Sequence, residues 1–291
     1  MNTVLRAAAL AIVALLCLPA HAEAKTKAQL KNDRFRVAYV QPKNPEHQAL
    51  YEELKAARVL EKFRSYLSFI RLPRVLRLRL EGCDGSDNAW YDTEDFSITV
   101  CYEYLQRVRD IAPKETTPDG VTAHSALVGP MLEVFLHEVG HALFHQLQIP
   151  ILGREEDAAD QLAAFLLLHF DKRAARDAVL GVAWMYAYDI KRAEVKPSSF
   201  AGVHALDAQR FYNLLCLAYG AEPELFRDLV EKKYLPERRA GNCEDEYGQV
   251  AYALQTLMGP YIDVRKRDQV LAKRWLGGKL RLKTSAEEQR R

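Results

Sequence analysis

Leu132-Glu133-Val134-Phe135-Leu136-His137-Glu138-Val139-Gly140-His141-Ala142-Leu143-Phe144-His145-Gln146-Leu147 carries two patterns at once. Leu132, Phe135, Leu136, Val139 and Leu143 recur at helical spacing, which predicts an amphipathic helix with that stripe against a core. His137 and His141 are four residues apart and stack on one helix face, about one turn from each other. Two imidazoles so placed can reach one Zn²⁺ at ~2.0–2.1 Å. Glu138 adjoins the same face, near enough to touch a water on the metal without being a ligand, which is the physical content of the H-E-x-x-H pattern. Gly140 has no side chain and lets a second backbone or a substrate come close.

A break at residues 150–153 separates this helix from Arg154-Glu155-Glu156-Asp157-Ala158-Ala159-Asp160. Glu156 and Asp160 are again four apart and project together, while Ala159 and Ala163 are small enough for tight packing on the first helix. A carboxylate from an antiparallel neighbour completes a His₂Glu catalytic zinc site with one open position. Glu156 is the leading candidate because only it has an aspartate four residues on; Asp157 and then Glu155 compete. Asp160 would accept the free ring N–H of a ligand histidine and fix its tautomer. His145 is in phase with His141 but too far along the helix to share a metal with His137.

These residues resemble the gluzincin metallopeptidases, whose signature is H-E-x-x-H followed on a second helix by E-x-x-x-D. The chain looks closer still to a little-characterised bacterial metallopeptidase family. The similarity rests on Asn88-Ala89-Trp90-Tyr91, Cys101-Tyr102-Glu103, residues 137–161, His204-Ala205-Leu206-Asp207 with Gln209-Arg210, and Cys216 with Tyr219-Gly220. It implies a zincin-like fold with Glu156 as third ligand, and says little about substrate. The metzincin pattern is excluded, since Phe144 and Leu147 stand where it needs Gly and His.

The rest of the chain frames this centre. Residues 34–40 are β-prone, and 46–70 read as one long helix stopped by Pro73. Leu76, Leu78 and Leu80 alternate with Arg77, Arg79 and Glu81, a half-buried strand. Residues 88–91 and 96–101 predict a hairpin around Asp92-Thr93-Glu94-Asp95, with Phe96, Ile98 and Val100 facing in and Ser97 and Thr99 facing out. Beyond the break at 117–120 the pattern is almost wholly helical. The expected class is α+β, a small β-rich N-terminal part followed by a mostly helical region carrying the histidine helix.

Arg6 is the only charge before an apolar run over residues 7–18, and Ala20-His21-Ala22 follows. About 20 apolar residues are needed to span a bilayer, so residues 1–22 predict a cleaved signal peptide and an exported, periplasmic or secreted protein. The expected single domain covers 23–275, with a polar, flexible lead-in over 23–33 and a basic, disordered tail over 276–291. No later stretch is apolar enough for an integral membrane segment. The 41 basic and 39 acidic residues leave a net charge of +2, which gives no case for a nucleic-acid partner.

Removing the signal leaves Cys83, Cys101, Cys216 and Cys243, an even number that predicts two disulfides in an oxidising compartment. Cys83–Cys101 and Cys216–Cys243 are the preferred pairs because each closes a short loop. The expected function is zinc-dependent hydrolysis of protein or peptide substrates, with Glu138 as general base. His204 is the first candidate for a donor to the developing oxyanion, with Arg210 and Tyr212 next and Asp207 as the cap of the helix between them. Asn88 and Trp90 are candidates for the cleft wall. A zincin-fold binding or assembly protein with structural zinc is the alternative, and a hydrolase of non-peptide bonds comes third. Zinc affinity should weaken as pH falls through about 6.5, the ordinary histidine value.

Overall fold

The computed structural model describes residues 30–275. The expected signal peptide over 1–22 and the basic tail over 276–291 lie outside the described residues. The first part holds β1 (Phe35–Tyr39), α1 (Gln48–Ala56), α2 (Val59–Tyr66), β2 (Leu76–Glu81), β3 (Ala89–Asp92) and β4 (Ser97–Cys101). Only helices follow: α3 (Tyr102–Ile111), α4 (Ala123–Leu147), α5 (Glu155–Leu168), α6 (Lys172–Ile190), α7 (Asp207–Ala221), α8 (Arg227–Glu231), α9 (Glu237–Ala240), α10 (Cys243–Met258) and α11 (Val264–Leu271), with short 3₁₀ turns between. This is the α+β order that the sequence predicts.

Residues 46–70 are not one helix. Arg58 adopts a left-handed φ of 54° and separates α1 from α2. The strain of a non-glycine residue there is about 1–2 kcal/mol. Burying a single Leu or Phe is worth about 1.5–3 kcal/mol, and the break lets Leu50 and Leu54 of α1 and Leu60 and Phe63 of α2 all reach the core. Helical periodicity does not register one residue of this kind. The end of the lead-in is also held: Lys31 pairs through its backbone with Leu72, and Asn32 Nδ2 donates to Asp263.

The sheet order is β1-β2-β4-β3. β1, β2 and β4 are parallel, and β3 returns antiparallel against β4 as the predicted hairpin, which leaves β3 at the edge. Leu78 pairs with Ile98 and Leu80 with Val100, so the apolar side chains share one fully buried face. Ser97 and Thr99 lie on the other face but are only 2% exposed, contrary to the expected outward-facing pair. Their short hydroxyls sit between Arg77 and Arg79 on β2 and Trp90 and Asp92 on β3, whose longer side chains flank them from both neighbouring strands.

α4 starts nine residues before Leu132, at Ala123, where Thr122 and Ser125 form a reciprocal cap, and it runs through Pro130. Twenty of its 25 residues are buried, so it is a central helix and not the amphipathic one expected. It packs on α5, α6 and the β3–β4 side of the sheet. Gly181 of α6 permits the closest crossing, because a Cβ there would lie 1.9 Å from the Ser125 carbonyl oxygen of α4. Both preferred disulfides form, with Cα–Cα distances of 5.5 Å for Cys83–Cys101 and 5.0 Å for Cys216–Cys243. Among the described residues no helix is long and apolar enough to cross a membrane.

Candidate metal centre

α4 and α5 run antiparallel, since His137 meets Asp160 while His141, one turn later, meets Glu155 and Glu156. Gly140 sets their separation. A Cβ on it would stand 3.1 Å from the Ala159 Cα and 3.2 Å from its Cβ. Two residues with almost no side chain therefore bring the helices together where the polar groups must meet.

Three donor atoms converge there. His137 Nε2 lies 3.1 Å from Glu156 Oε2, His141 Nε2 lies 3.2 Å from the same oxygen, and the two ring nitrogens are 3.2 Å apart. Ligands at ~2.0–2.1 Å from a tetrahedral ion are about 3.3 Å from one another. The nearly equilateral triangle matches one face of such a tetrahedron. His137, His141 and Glu156 could thus hold a metal with a fourth position facing the cleft.

Each histidine is held from behind. His137 Nδ1 donates to Asp160 Oδ1 at 2.8 Å and His141 Nδ1 to Glu155 Oε1 at 2.7 Å, which leaves both Nε2 atoms free to ligate. Asp160 in turn accepts two hydrogen bonds from Arg210, Nε at 2.8 Å and Nη2 at 2.6 Å. Arg210 also reaches Glu133, which accepts from the Tyr186 hydroxyl at 3.0 Å. The chain from His137 to Tyr186 joins α4, α5, α6 and α7 in one polar network.

Electrostatics follow from these contacts. The His137 hydrogen bond is the main cause that holds the Glu156 carboxyl down at about 2. Burial alone would lower the His137 pKa, but hydrogen bonds to Asp160 and Glu156 outweigh it and raise the metal-free ring to about 10. The expected onset of proton competition near 6.5 is therefore corrected upward, because two carboxylates stabilise the imidazolium. Glu138 differs from all its neighbours. It is 7% exposed, makes no hydrogen bond or ion pair among the described residues, and lines the cleft. Burial pushes its carboxyl above the ordinary range, against the lowering influence of His137 and His141.

The cleft in front of the centre has a volume of about 510 Å³ and includes Asn88, Trp90, Tyr91, Tyr186, His204 and Asp207 in its walls. His204 is half exposed on the segment before α7, and its Nε2 stands 2.8 Å from Glu156 Oε2. It belongs with His137 and Glu156 to a group whose donor atoms lie within 4.8 Å of one another. Burial lowers its pKa. Asn88 and Trp90 do line the cleft, on the loop and edge strand tied down by Cys83–Cys101.

Other expected roles change. Arg210 is not free to donate to an oxyanion, because its guanidinium is committed to Asp160 and Glu133. Tyr212 is exposed and packs edge-on against Phe211. Leu206, not Asp207, caps α7, its N–H donating to Gln209 Oε1 at 3.2 Å. Asp157 pairs with Arg154, outside the triangle of His137, His141 and Glu156 donor atoms. His145 accepts or donates at Nδ1 with the Tyr91 hydroxyl at 2.9 Å and stacks on Phe96, away from the donor triangle. Sequence reading missed Glu133, Tyr186 and the partnership of Glu155 with His141. Glu133 had a signal, since it precedes His137 by four residues on the same helix face; Tyr186, on a distant helix, had none.

A family model described as "Putative metallopeptidase" matches residues 39–258. The chain belongs to this family. The matched span runs from the end of β1 through α10 and contains every residue of the centre, the cleft and both disulfides. Membership implies a metal ion and a peptidase-type hydrolysis of peptide substrates. No curated protein and no solved structure matches the chain.

Proposed function

We propose that this protein is an exported zinc metallopeptidase of gluzincin type, a single zincin-like domain over residues 23–275 that acts after removal of residues 1–22. The observation that carries this reading is the triangle of His137 Nε2, His141 Nε2 and Glu156 Oε2 at 3.1–3.2 Å, backed by carboxylates on both Nδ1 atoms. Two imidazoles and one carboxylate are the donor set of catalytic zinc with an open position. Two disulfides fit an oxidising compartment.

Bound zinc would polarise the scissile carbonyl and make a water acidic enough to lose its proton near neutral pH. The chain's own groups do the rest. Glu138 takes that proton on its carboxylate and returns it to the leaving amine; burial without a partner suits it to both halves of the transfer. His204, whose pKa burial lowers, would turn its Nε2–H from Glu156 Oε2 toward the carbonyl oxygen as negative charge develops there. Asp160 and Glu155 hold the two ligand rings in the tautomer with Nε2 unprotonated. The free edge of β3 beside the cleft offers backbone groups to an extended peptide.

Glu138→Gln tests the reading. The variant should retain one zinc per chain by elemental analysis while peptide hydrolysis falls by about 10²–10⁴-fold. Activity equal to the parent's removes the general-base assignment.

One observation favours a second reading. His204 Nε2 is close enough to Glu156 to serve as a fourth protein donor, which would give the closed shell of a structural zinc site in a non-catalytic binding or assembly protein. Zinc that stays bound, with no turnover across a broad peptide library, would support that alternative.

A further inference from the structure

We propose that the cleft selects peptides with a cationic group close to the scissile bond, held by the unpaired carboxylate of Asp207 beside the Arg107–Asp189–Asp87 cluster. The proposal rests on the peptidase reading above and names its substrate class.

Over the whole chain, charge is nearly balanced at +2. Inside the cleft it is not: seven carboxyl side chains line it against two guanidiniums and no lysine. Metal binding and proton transfer use Glu156 and Glu138, and Glu155 and Glu133 are hydrogen-bonded to His141 and to Tyr186. That leaves Asp87, Asp189 and Asp207. Arg107 is already committed to Asp189 and, at 3.5 Å, to Asp87. Arg210 is held by Asp160 and Glu133. Neither guanidinium is available to an anionic ligand.

Asp207 is the group with no structural duty. It has no hydrogen bond or ion pair among the described residues, and Leu206 is the cap of its helix. It is nonetheless half-buried in the cleft wall, three residues after His204. Burial, and then the nearby Asp189, push its carboxyl above the ordinary range, and a cation beside it in the cleft would favour its charged form. Glu138, over nine-tenths buried and unpartnered, is aimed into the same cavity, which marks it as space for a ligand. A cleft whose lining carries an excess of one sign of charge also concentrates oppositely charged substrates.

The shared chemistry is a primary ammonium or guanidinium, supplied either by a Lys or Arg side chain or by a peptide's own N-terminus. Zinc-loaded Glu138→Gln protein serves as the probe, because it should bind peptides without cutting them. Three blocked pentapeptides differing only in a central Lys, norleucine or Glu, and the norleucine peptide with a free N-terminus, are titrated by calorimetry at low salt. We expect one of the two cationic peptides to bind at least about tenfold more tightly than the blocked norleucine peptide, the difference shrinking at high salt. The member that does so identifies the source of the charge. Adding Asp207→Asn should cut the preference at least about threefold, and adding Asp207→Lys should turn it toward the Glu peptide, a gain that misfolding cannot mimic. Equal affinity for charged and neutral peptides, or no binding of any up to about 1 mM, overturns the proposal. Binding with the stated preference but no cleavage by the parent protein sinks the hydrolase reading instead and leaves the selectivity standing.

Discussion

The two walls of the cleft are built on different principles. The α4–α5 wall is a helix pair locked at Gly140 and Ala159, with His137, Glu138 and His141 in a span of five residues and Glu156 and Asp160 in another. The rest of the lining gathers Trp90 from an edge strand, Asp189 from the end of α6, His204 from the segment before α7 and Asp207 from its start, with Trp90 and His204 about half exposed. Atoms that must stay within a few tenths of an ångström come from buried or half-buried positions within regular helices. Groups that meet a variable partner come from edges and helix ends, where adjustment costs less.

The largest effect expected from breaking this contrast is on the α4–α5 wall, where zinc is proposed to bind. Metal-free His137 carries a proton up to about pH 10, so that proton must leave before zinc can bind. The raised pKa stabilises the metal-free fold fully below the unfolded value of about 6.5, and that contribution disappears as pH rises through 10. Zinc binding has the opposite sign. Its apparent affinity should rise by up to about tenfold per pH unit across the neutral range, with about one proton released, read by calorimetry in buffers of different ionisation heat. Affinity independent of pH between 7 and 9 would contradict this account of His137.

A change one layer further out should act less. Asp160→Asn removes the acceptor that fixes the His137 tautomer and leaves Arg210 with Glu133 alone. Zinc affinity should fall by about 10–100-fold in competition with a chelator, while the fold survives by circular dichroism. Wild-type affinity in this variant would mean that the network serves packing only.

Gly140→Ala probes the helix spacing. The new methyl meets backbone and Cβ of Ala159 at 3.1–3.2 Å, so α5 must yield by a few tenths of an ångström. Overpacking of this kind costs about 1–3 kcal/mol, expected as a lower unfolding midpoint together with weaker zinc binding. A more stable protein with unchanged metal affinity would show that the spacing is not set there.

The smallest effect belongs to the rest of the lining. Trp90 is 41% exposed, and its replacement by Ala should alter stability by about 0.5 kcal/mol or less and leave zinc affinity unchanged. KM for peptides should rise with little change in kcat. A loss of bound metal would show that the walls are not separable.

Much of the geometry of the α4–α5 wall could be read without coordinates because its relations are local. A spacing of four residues places two side chains on one helix face whatever the helix packs against, and this held for His137 with His141 and Glu156 with Asp160. The same locality explains the failures. Alternation along β4 could not show that Ser97 and Thr99 would be covered by neighbours on two other strands. Apolar periodicity could not show that α4 would be enclosed on nearly all sides, or that Arg58 would break the chain between α1 and α2.

By itself the sequence determined the donor types, their phase on two helices, a preference among the three pairings of four cysteines and the order of sheet before helices. Each of these follows from covalent spacing and helical or strand period. Only the tertiary structure decided which donors meet at 3.1–3.2 Å, that Arg210 serves Asp160, and that Asp207 faces the cleft unpaired. Those outcomes depend on helix crossings between residues as much as 77 positions apart, from Glu133 to Arg210. They are set by where small side chains let backbones approach, and no period along the chain encodes that.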